Sequence, residues 1–349
     1  MNLPKADQGF EALLDYLKHN RGCDLTGYKR STLVRRFAHR MQSINIVSYQ
    51  DYLQYLQSHS EEWMALLDTV LINVTSFFRD RDAWGYLAND IIPKIIDNKK
   101  PDEPIRVWSA GCASGQEVYS LLILFAEALG IESCLQQVQC YATDVDEAAI
   151  KQARRATYSS QEVTGIPPDL LEKYFEQTEQ GYVFSQQLRS QIVFGHHNLA
   201  EDAPMSKIDL LTCRNALIYF NPETQAQILV RFHFALKDNG FLFLGNSETL
   251  VTRRRIFTPV SLKHRIYGKG LNGRYLDIFI VPIFSQKKYL LGVNLTFIKV
   301  GDRQQLAAEL EYTSSELKKV SQMLEETKAA LDSTHVELEC TQKELEAVR

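Results

Sequence analysis

Residues 107–120 read VWSAGCASGQEVYS, and the parsing of that stretch decides the fold. An apolar run that begins at Ile105 continues to Ser109 as a strand, Ala110 to Gly115 are small residues suited to a loop, and QEVYSLLILFAEAL then has the texture of a helix. Small residues at a strand-to-helix turn let the backbone come close to a ligand, as at nucleotide-binding turns. The pattern is not G-x-G-x-x-G, which argues against a dinucleotide. Glu117 puts a carboxylate at the helix start, where it repels a pyrophosphate and pairs with an ammonium. A ligand with a free amino group and no bridging phosphates suits that asymmetry. A tight structural turn, with Glu117 serving as a first-turn helix acid, is the plainer alternative.

Downstream the same rhythm continues. VQCYATD (138–144) reads as a strand, DEAAIKQARRA as a helix, QIVFGHHN and KIDLLTC as strands, Glu223 to Leu236 as a helix and GFLFLGN as a strand. Alternating strands and helices, with strands apolar at every position, predict a parallel doubly wound α/β sheet. Asp144, at the end of its strand about thirty residues past the glycine loop, is placed to accept both hydroxyls of a ribose. Asp146 competes for the ordinary role of helix N-cap. After Glu248, Arg255 to Val260 and His264 to Tyr267 are spaced for an antiparallel hairpin at the sheet edge.

Upstream, apolar residues at three- and four-residue spacing (Leu13, Leu14, Leu17; Leu33, Val34, Phe37, Met41, Ile44) predict a helical domain. One helix, Lys29 to Met41, carries Lys29, Arg30, Arg35, Arg36 and Arg40 around its apolar stripe. Like charges at Arg36 and Arg40, four apart, repel and call for an anionic partner. At the other end, YLDIFIVPIF and YLLGVNLTFIKV read as two β-runs. Leu310, Leu317, Leu324, Leu331, Leu338 and Leu345 then recur every seven residues, a coiled-coil signature. Its companion positions, Thr313, Val320, Thr327, Thr334 and Thr341, make a weak seam, so only weak self-association is expected.

The 349 residues are 45% hydrophobic with a formal net charge of -4, which disfavours a partner found by bulk charge, such as nucleic acid or an anionic membrane. The six cysteines form no CxxC pair and no metal-ligand spacing, so neither disulfides nor a metal is expected. With no signal-like N-terminus and no run of ~20 apolar residues, a cytoplasmic protein without membrane insertion is expected.

YKRSTLVRRFAHRM, INVTSFFRD, VWSAGCASGQEVYS, YATDVD, FGHHNL and LLTCRNALIYF occur in this order between Phe10 and Lys269, and in them the chain resembles the chemotaxis receptor glutamate methyltransferases, the CheR family. The resemblance implies a helical receptor-binding domain (residues 1–90) and a Rossmann-like class I S-adenosylmethionine methyltransferase domain (91–270) with a small β-subdomain at about 174–194. It also implies the cofactor, S-adenosylmethionine, with S-adenosylhomocysteine as product. Cofactor contacts then fall on Asn73, Thr75, Arg79, Glu117, Asp144, Asn198, Leu199, Arg214 and Asn215. Arg79, Arg214 and Tyr219 fall at the methyl-transfer site. The expected partner is the cytoplasmic helical bundle of a methyl-accepting chemotaxis-type receptor, met by Lys29, Arg30, Arg36 and Arg40. Residues 271–301 resemble the start of a PAS-like segment, ahead of a coiled coil at 302–349. Gln116 stands where the family more often has an acid. The short turn in EQTEQGYVFSQQL suits a member that needs no receptor tether. The rival reading is a regulatory scaffold that keeps the cofactor site without turnover.

Overall fold

The computed structural model describes residues 8–21, 23–71, 73–100, 103–248, 250, 256–270, 275–284 and 290–300. The heptad region, and with it the expected coiled coil, lies outside the described residues.

Four helices come first: α1 (Gln8–Arg21), α2 (Arg30–Ser43), α3 (Tyr49–Ser58) and α4 (Glu62–Val70). Their apolar stripes meet in one core around Phe10, Leu17, Leu33, Phe37, Tyr52 and Leu66. Val34, placed in that stripe by periodicity, is 39% exposed. The expected division at residue 90 does not match the packing. The helical core ends at Val70, whereas Phe77, Phe78, Trp84, Leu87 and Ile91 pack into the core of the sheet domain. Periodicity reveals a helix but not which core it joins, so α5 (Arg81–Tyr86), the π-helical turn Leu87–Ile91 and α6 (Ile92–Asp97) belong with the sheet domain.

The sheet domain continues through β1 (Ile105–Ala110), α7 (Gln116–Leu129), α8 (Ile131–Gln137), β2 (Val138–Asp144), α9 (Glu147–Arg155), β3 (Thr157–Tyr158), α10 (Pro168–Tyr174), β4 (Phe175–Thr178), β5 (Gly181–Phe184), α11 (Gln186–Arg189), β6 (Ile192–His196), β7 (Ile208–Cys213), α12 (Pro222–Ala235), β8 (Leu236–Leu244), β9 (Phe257–Ser261) and β10 (Ile266–Lys269). The main sheet has seven strands in the order β6-β2-β1-β7-β8-β10-β9. Its first five strands are parallel, and β10 and β9 close the edge as an antiparallel hairpin. All of β7 is buried, as expected of a central strand covered on both faces. The chain winds outward from β1 through β2 to β6, then returns to β7 on the other side. The strand order therefore reverses between β1 and β7, where open α/β sheets bind ligands.

The small sheet is antiparallel, in the order β3-β5-β4. A span of 174–194 omits β3 and takes in Ile192 to Phe194 of β6, because a two-residue strand leaves no periodic trace. Gly181 has φ 125°, and a Cβ there would lie 2.4 Å from the Tyr158 carbonyl, so only glycine lets β5 sit against β3. Separately, β11 (Tyr275–Phe284) and β12 (Leu290–Val300) form an antiparallel hairpin pairing Tyr275 with Val300. Among the described residues no single helix is long and apolar enough to cross a membrane, and no group of His, Cys, Asp and Glu could hold a metal.

Candidate active site at the sheet's switch point

A cleft of about 950 Å³, counting the space at its open mouth, lies at the carboxyl ends of β1, β2 and β7. Asn73, Thr75, Arg79, Glu117, Asp144, Asn198, Leu199, Arg214, Asn215 and Tyr219 all line it, although they are spread over nearly 150 residues of chain.

The glycine loop supplies the floor. Gly111 has φ 78° and a Cβ there would lie 3.1 Å from that of Ala216, so glycine keeps the β1 turn and the β7 turn close together. Glu117 is buried. Its Oε1 accepts from Ser109 Oγ at 2.8 Å and Thr212 Oγ1 at 2.6 Å, which fixes the carboxylate and leaves Oε2 for a cationic donor. Asp144 Oδ2 accepts the Ala113 N–H at 2.8 Å and its Oδ1 accepts the Asp146 N–H at 3.0 Å. Burial pushes the Asp144 carboxyl above its ordinary value, and the backbone N–H groups of Asp146 and Ala113 pull it back down. Each oxygen still has a lone pair for a ligand hydroxyl. Asp146 takes the capping role, accepting from Ala148 N and Ala149 N while Asn73 Nδ2 donates to its other oxygen at 2.5 Å. With Asp146 as the cap, Asp144 remains available to the cleft.

The wall from 73 to 80 is held in an unusual shape. Phe78 and Asp80 have φ of 48° and 66°, left-handed values that cost a non-glycine residue of order 1 kcal/mol or more. Three contacts fix them: Phe78 N–H to Ser120 Oγ at 3.1 Å, Trp84 Nε1 to the Arg79 carbonyl at 2.7 Å, and Arg214 Nη2 to that carbonyl at 2.9 Å. Arg214 also pairs with Asp80 at 2.7 Å and lies over the rings of Phe243 and Trp84, its side chain 2% exposed. These bonds use Nη2, while Arg214 lines the cleft with its Nε buried and unpartnered. Through Nη2 it holds the loop that carries Arg79, a partner 134 residues away that no local pattern discloses.

Tyr219 is half-buried. Burial pushes its hydroxyl up from the ordinary value, while the positive charges of Arg36, Arg79 and Arg35 act in the opposite sense. The helical domain therefore reaches the site directly. Lys29 N–H donates to the Tyr219 carbonyl at 2.8 Å, Asn221 N–H donates to the Gly27 carbonyl at 2.9 Å, and the Tyr28 and Phe220 rings stand 4.8 Å apart. Tyr28 itself lines the cleft, a residue that sequence reasoning does not single out.

The four helical-domain cations fare differently. Arg40 forks onto Glu62, Nε to Oε1 at 2.8 Å and Nη2 to Oε2 at 2.6 Å, and Tyr52 donates to the same carboxylate at 2.8 Å. Burial opposes the Glu62 charge, yet these hydrogen bonds outweigh it and hold the carboxyl below its ordinary value. The repulsion between Arg36 and Arg40 is therefore answered inside the domain, and Arg40 is not a free docking charge. Arg30 pairs with Glu11 at the surface and lies over the Phe10 ring. Arg36 is different: its Nε is buried without a partner.

A doubly wound sheet with a small-residue loop after β1, an acid closing β2 and a cleft at the switch point is the Rossmann-like frame of a site for an adenosine-containing cofactor. Residues 73–266 match the CheR methyltransferase SAM-binding domain and residues 8–71 the CheR methyltransferase all-alpha domain, so the chain belongs to the CheR methyltransferase family. An uncharacterized 104.1 kDa protein of Rhodobacter capsulatus is 38% identical over 261 residues, 73% of this chain and 27% of that protein's length. The chemotaxis protein methyltransferase of Escherichia coli K12 is 31% identical over 264 residues, 73% of this chain and 89% of that one. The chemotaxis protein methyltransferase of Klebsiella aerogenes is 32% identical over 279 residues, 78% of this chain and 91% of that one.

Proposed function

We propose that the chain methylates glutamate side chains of chemotaxis-type receptors. The observation that carries this reading is one cleft lined by Glu117, Asp144, Arg79 and Tyr219, which sets a cation and a phenol beside the cofactor acids, where an anionic acceptor can be oriented. A glutamate side chain, with an unperturbed pKa near ~4.3, is already the nucleophile at neutral pH. No general base is needed. A carboxylate oxygen takes the methyl, the methyl–sulfur bond breaks with its electron pair going to sulfur, and no proton moves. S-adenosylmethionine supplies the sulfonium-activated methyl. The protein's task is alignment, a contribution of roughly 7 to 11 kcal/mol in favourable intramolecular cases.

In this reading Glu117 receives the donor's ammonium, Asp144 its ribose hydroxyls, and Asn198 and Leu199 lie by the adenine. Asn73, Thr75 and Asn215 complete the wall. Tyr219, its hydroxyl kept protonated, donates to the acceptor carboxylate, and Arg79 orients it while Arg214 steadies Arg79. Lys29, Arg30 and Arg36 meet the acidic helical bundle of a cytoplasmic receptor. The β4–β5 turn closes in two residues, Thr178 pairing with Gly181, which favours docking without a receptor tether. Residues 271–301 are read as a PAS-like fragment and 302–349 as a weak coiled coil, an arrangement suited to a fused chemosensory protein.

The experiment is methyl transfer from labelled S-adenosylmethionine to receptor, with and without its C-terminal tail, at two salt concentrations. Base-labile label on glutamates, tail-independent and weaker at high salt, is expected, because the screening length falls from ~10 Å at 0.1 M to ~3 Å at 1 M. Cofactor binding without turnover would favour the regulatory-scaffold alternative.

A further inference from the structure

Glu248 stands just past the carboxyl end of β8, 5% exposed, and the transfer chemistry of the cleft residues makes no use of it. β7 and β8 are parallel neighbours, Cys213 beside Leu244, so the turns after both strands emerge at one edge of the sheet. The turn after β7 carries Asn215 and leads to Tyr219. Asn215 has φ 60°, a left-handed conformation that a non-glycine residue keeps when its surroundings over-determine it.

Glu248 provides that determination. Its Oε2 accepts the N–H groups of Gly245 at 2.7 Å and Asn215 at 2.9 Å, and its Oε1 accepts the N–H of Leu217 at 2.8 Å. Hydrogen bonds to a carboxylate are roughly twice as strong as neutral ones, so three on one side chain make a firm clamp. Gly245 makes room for it: a Cβ there would lie 2.8 Å from the Asn215 nitrogen and 2.9 Å from Glu248 Oε2. The Asn215 side-chain oxygen is buried without a partner, and Asn215 lines the cleft. An acceptor in that state, at the cleft, is where a ligand donor or an ordered water would bond.

We propose that Glu248 is a positioning residue for methyl transfer. Its carboxylate gathers the Asn215, Leu217 and Gly245 N–H groups into one turn. That turn sets where Asn215 meets the methyl donor and where the Tyr219 hydroxyl meets the acceptor. The proposal rests on the reading that Asn215 and Tyr219 serve the reaction. Burial raises the Glu248 carboxyl from its ordinary value and the backbone N–H groups lower it, as expected of a group held mainly by main-chain donors.

The test uses the full chain and two variants. Glu248→Gln removes the clamp's charge, and Gly245→Ala pushes a methyl between the carboxylate and Asn215 without altering either group. S-adenosylhomocysteine affinity, corrected for the folded fraction, is expected to fall about tenfold in each, since the turn shifts by a fraction of a bond length. Turnover of receptor is expected to fall on the order of 10²-fold, with KM for receptor little changed, the pattern of misplaced reacting groups. Parent-like affinity and kcat per folded molecule in both variants, whatever the melting temperature does, would overturn the proposal. If Glu248→Gln does not fold, Gly245→Ala decides by the same readouts. If the parent chain binds S-adenosylhomocysteine but leaves receptor unmethylated, the receptor reading fails and the affinity arm still decides the role of Glu248.

Discussion

The two ends of the central sheet treat charge in opposite ways. At the amino ends of β1 and β7, Asp209 receives Lys99 at 2.7 Å, Lys237 at 3.3 Å and the Arg106 N–H at 2.8 Å, and Glu103 receives Lys237 at 2.6 Å. Both of these carboxylates have a cation. At the carboxyl ends, Glu117 is held by two hydroxyls, and Asp144 and Glu248 by backbone N–H groups. Neutral donors fix the carboxylates without cancelling their charge. One end is closed on itself and contributes stability; the other is rigid yet electrostatically unfinished, which is what a ligand site requires.

The largest expected effect is at the closed end. Asp209→Ala leaves two lysines with one partner fewer in a partly buried network, so denaturant unfolding should show a loss of about 3 kcal/mol or more. Affinity for S-adenosylhomocysteine per folded molecule should be unchanged. A loss of affinity there would erase the distinction between the ends.

The same contrast recurs on helix α2. Arg40→Ala strands the Glu62 carboxylate, 4% exposed, with Tyr52 as its remaining partner, and should destabilise the chain by about 2 kcal/mol. Arg36→Ala removes a guanidinium whose Nε already lacks a partner, so melting should shift little, within about 0.5 kcal/mol. Receptor methylation should respond in the reverse order, falling more for Arg36→Ala than for Arg40→Ala when rates are corrected for folded protein. Equal falls would mean that the helix docks as a uniform charged face.

The distribution of these roles explains what the sequence discloses. Glu117 and Asp144 lie in short contiguous motifs at the ends of β1 and β2 and are visible in a linear reading, whereas Tyr219 comes only through the family resemblance and otherwise reads as a core aromatic. What holds those residues is remote in the chain. Arg214 finds Asp80, Arg40 finds Glu62, and Glu248 clamps Asn215, pairings set by the parallel crossovers and the helical packing. Arg40 reads as a docking charge in the linear chain because its partner lies 22 residues away, and no local pattern marks Glu248. The boundary at 90 falls late for a related reason: α5 and α6 have helical periodicity, but their apolar faces belong to the sheet.

Calorimetric titration with S-adenosylhomocysteine tests the open carboxylates at the sheet's carboxyl edge most directly. Glu117→Ala and Asp144→Ala should each weaken binding by about 1 to 3 kcal/mol, the loss of a buried charged hydrogen bond, with melting close to the parent's. Parent-like affinity in both variants would contradict the assignment of this edge as the cofactor site.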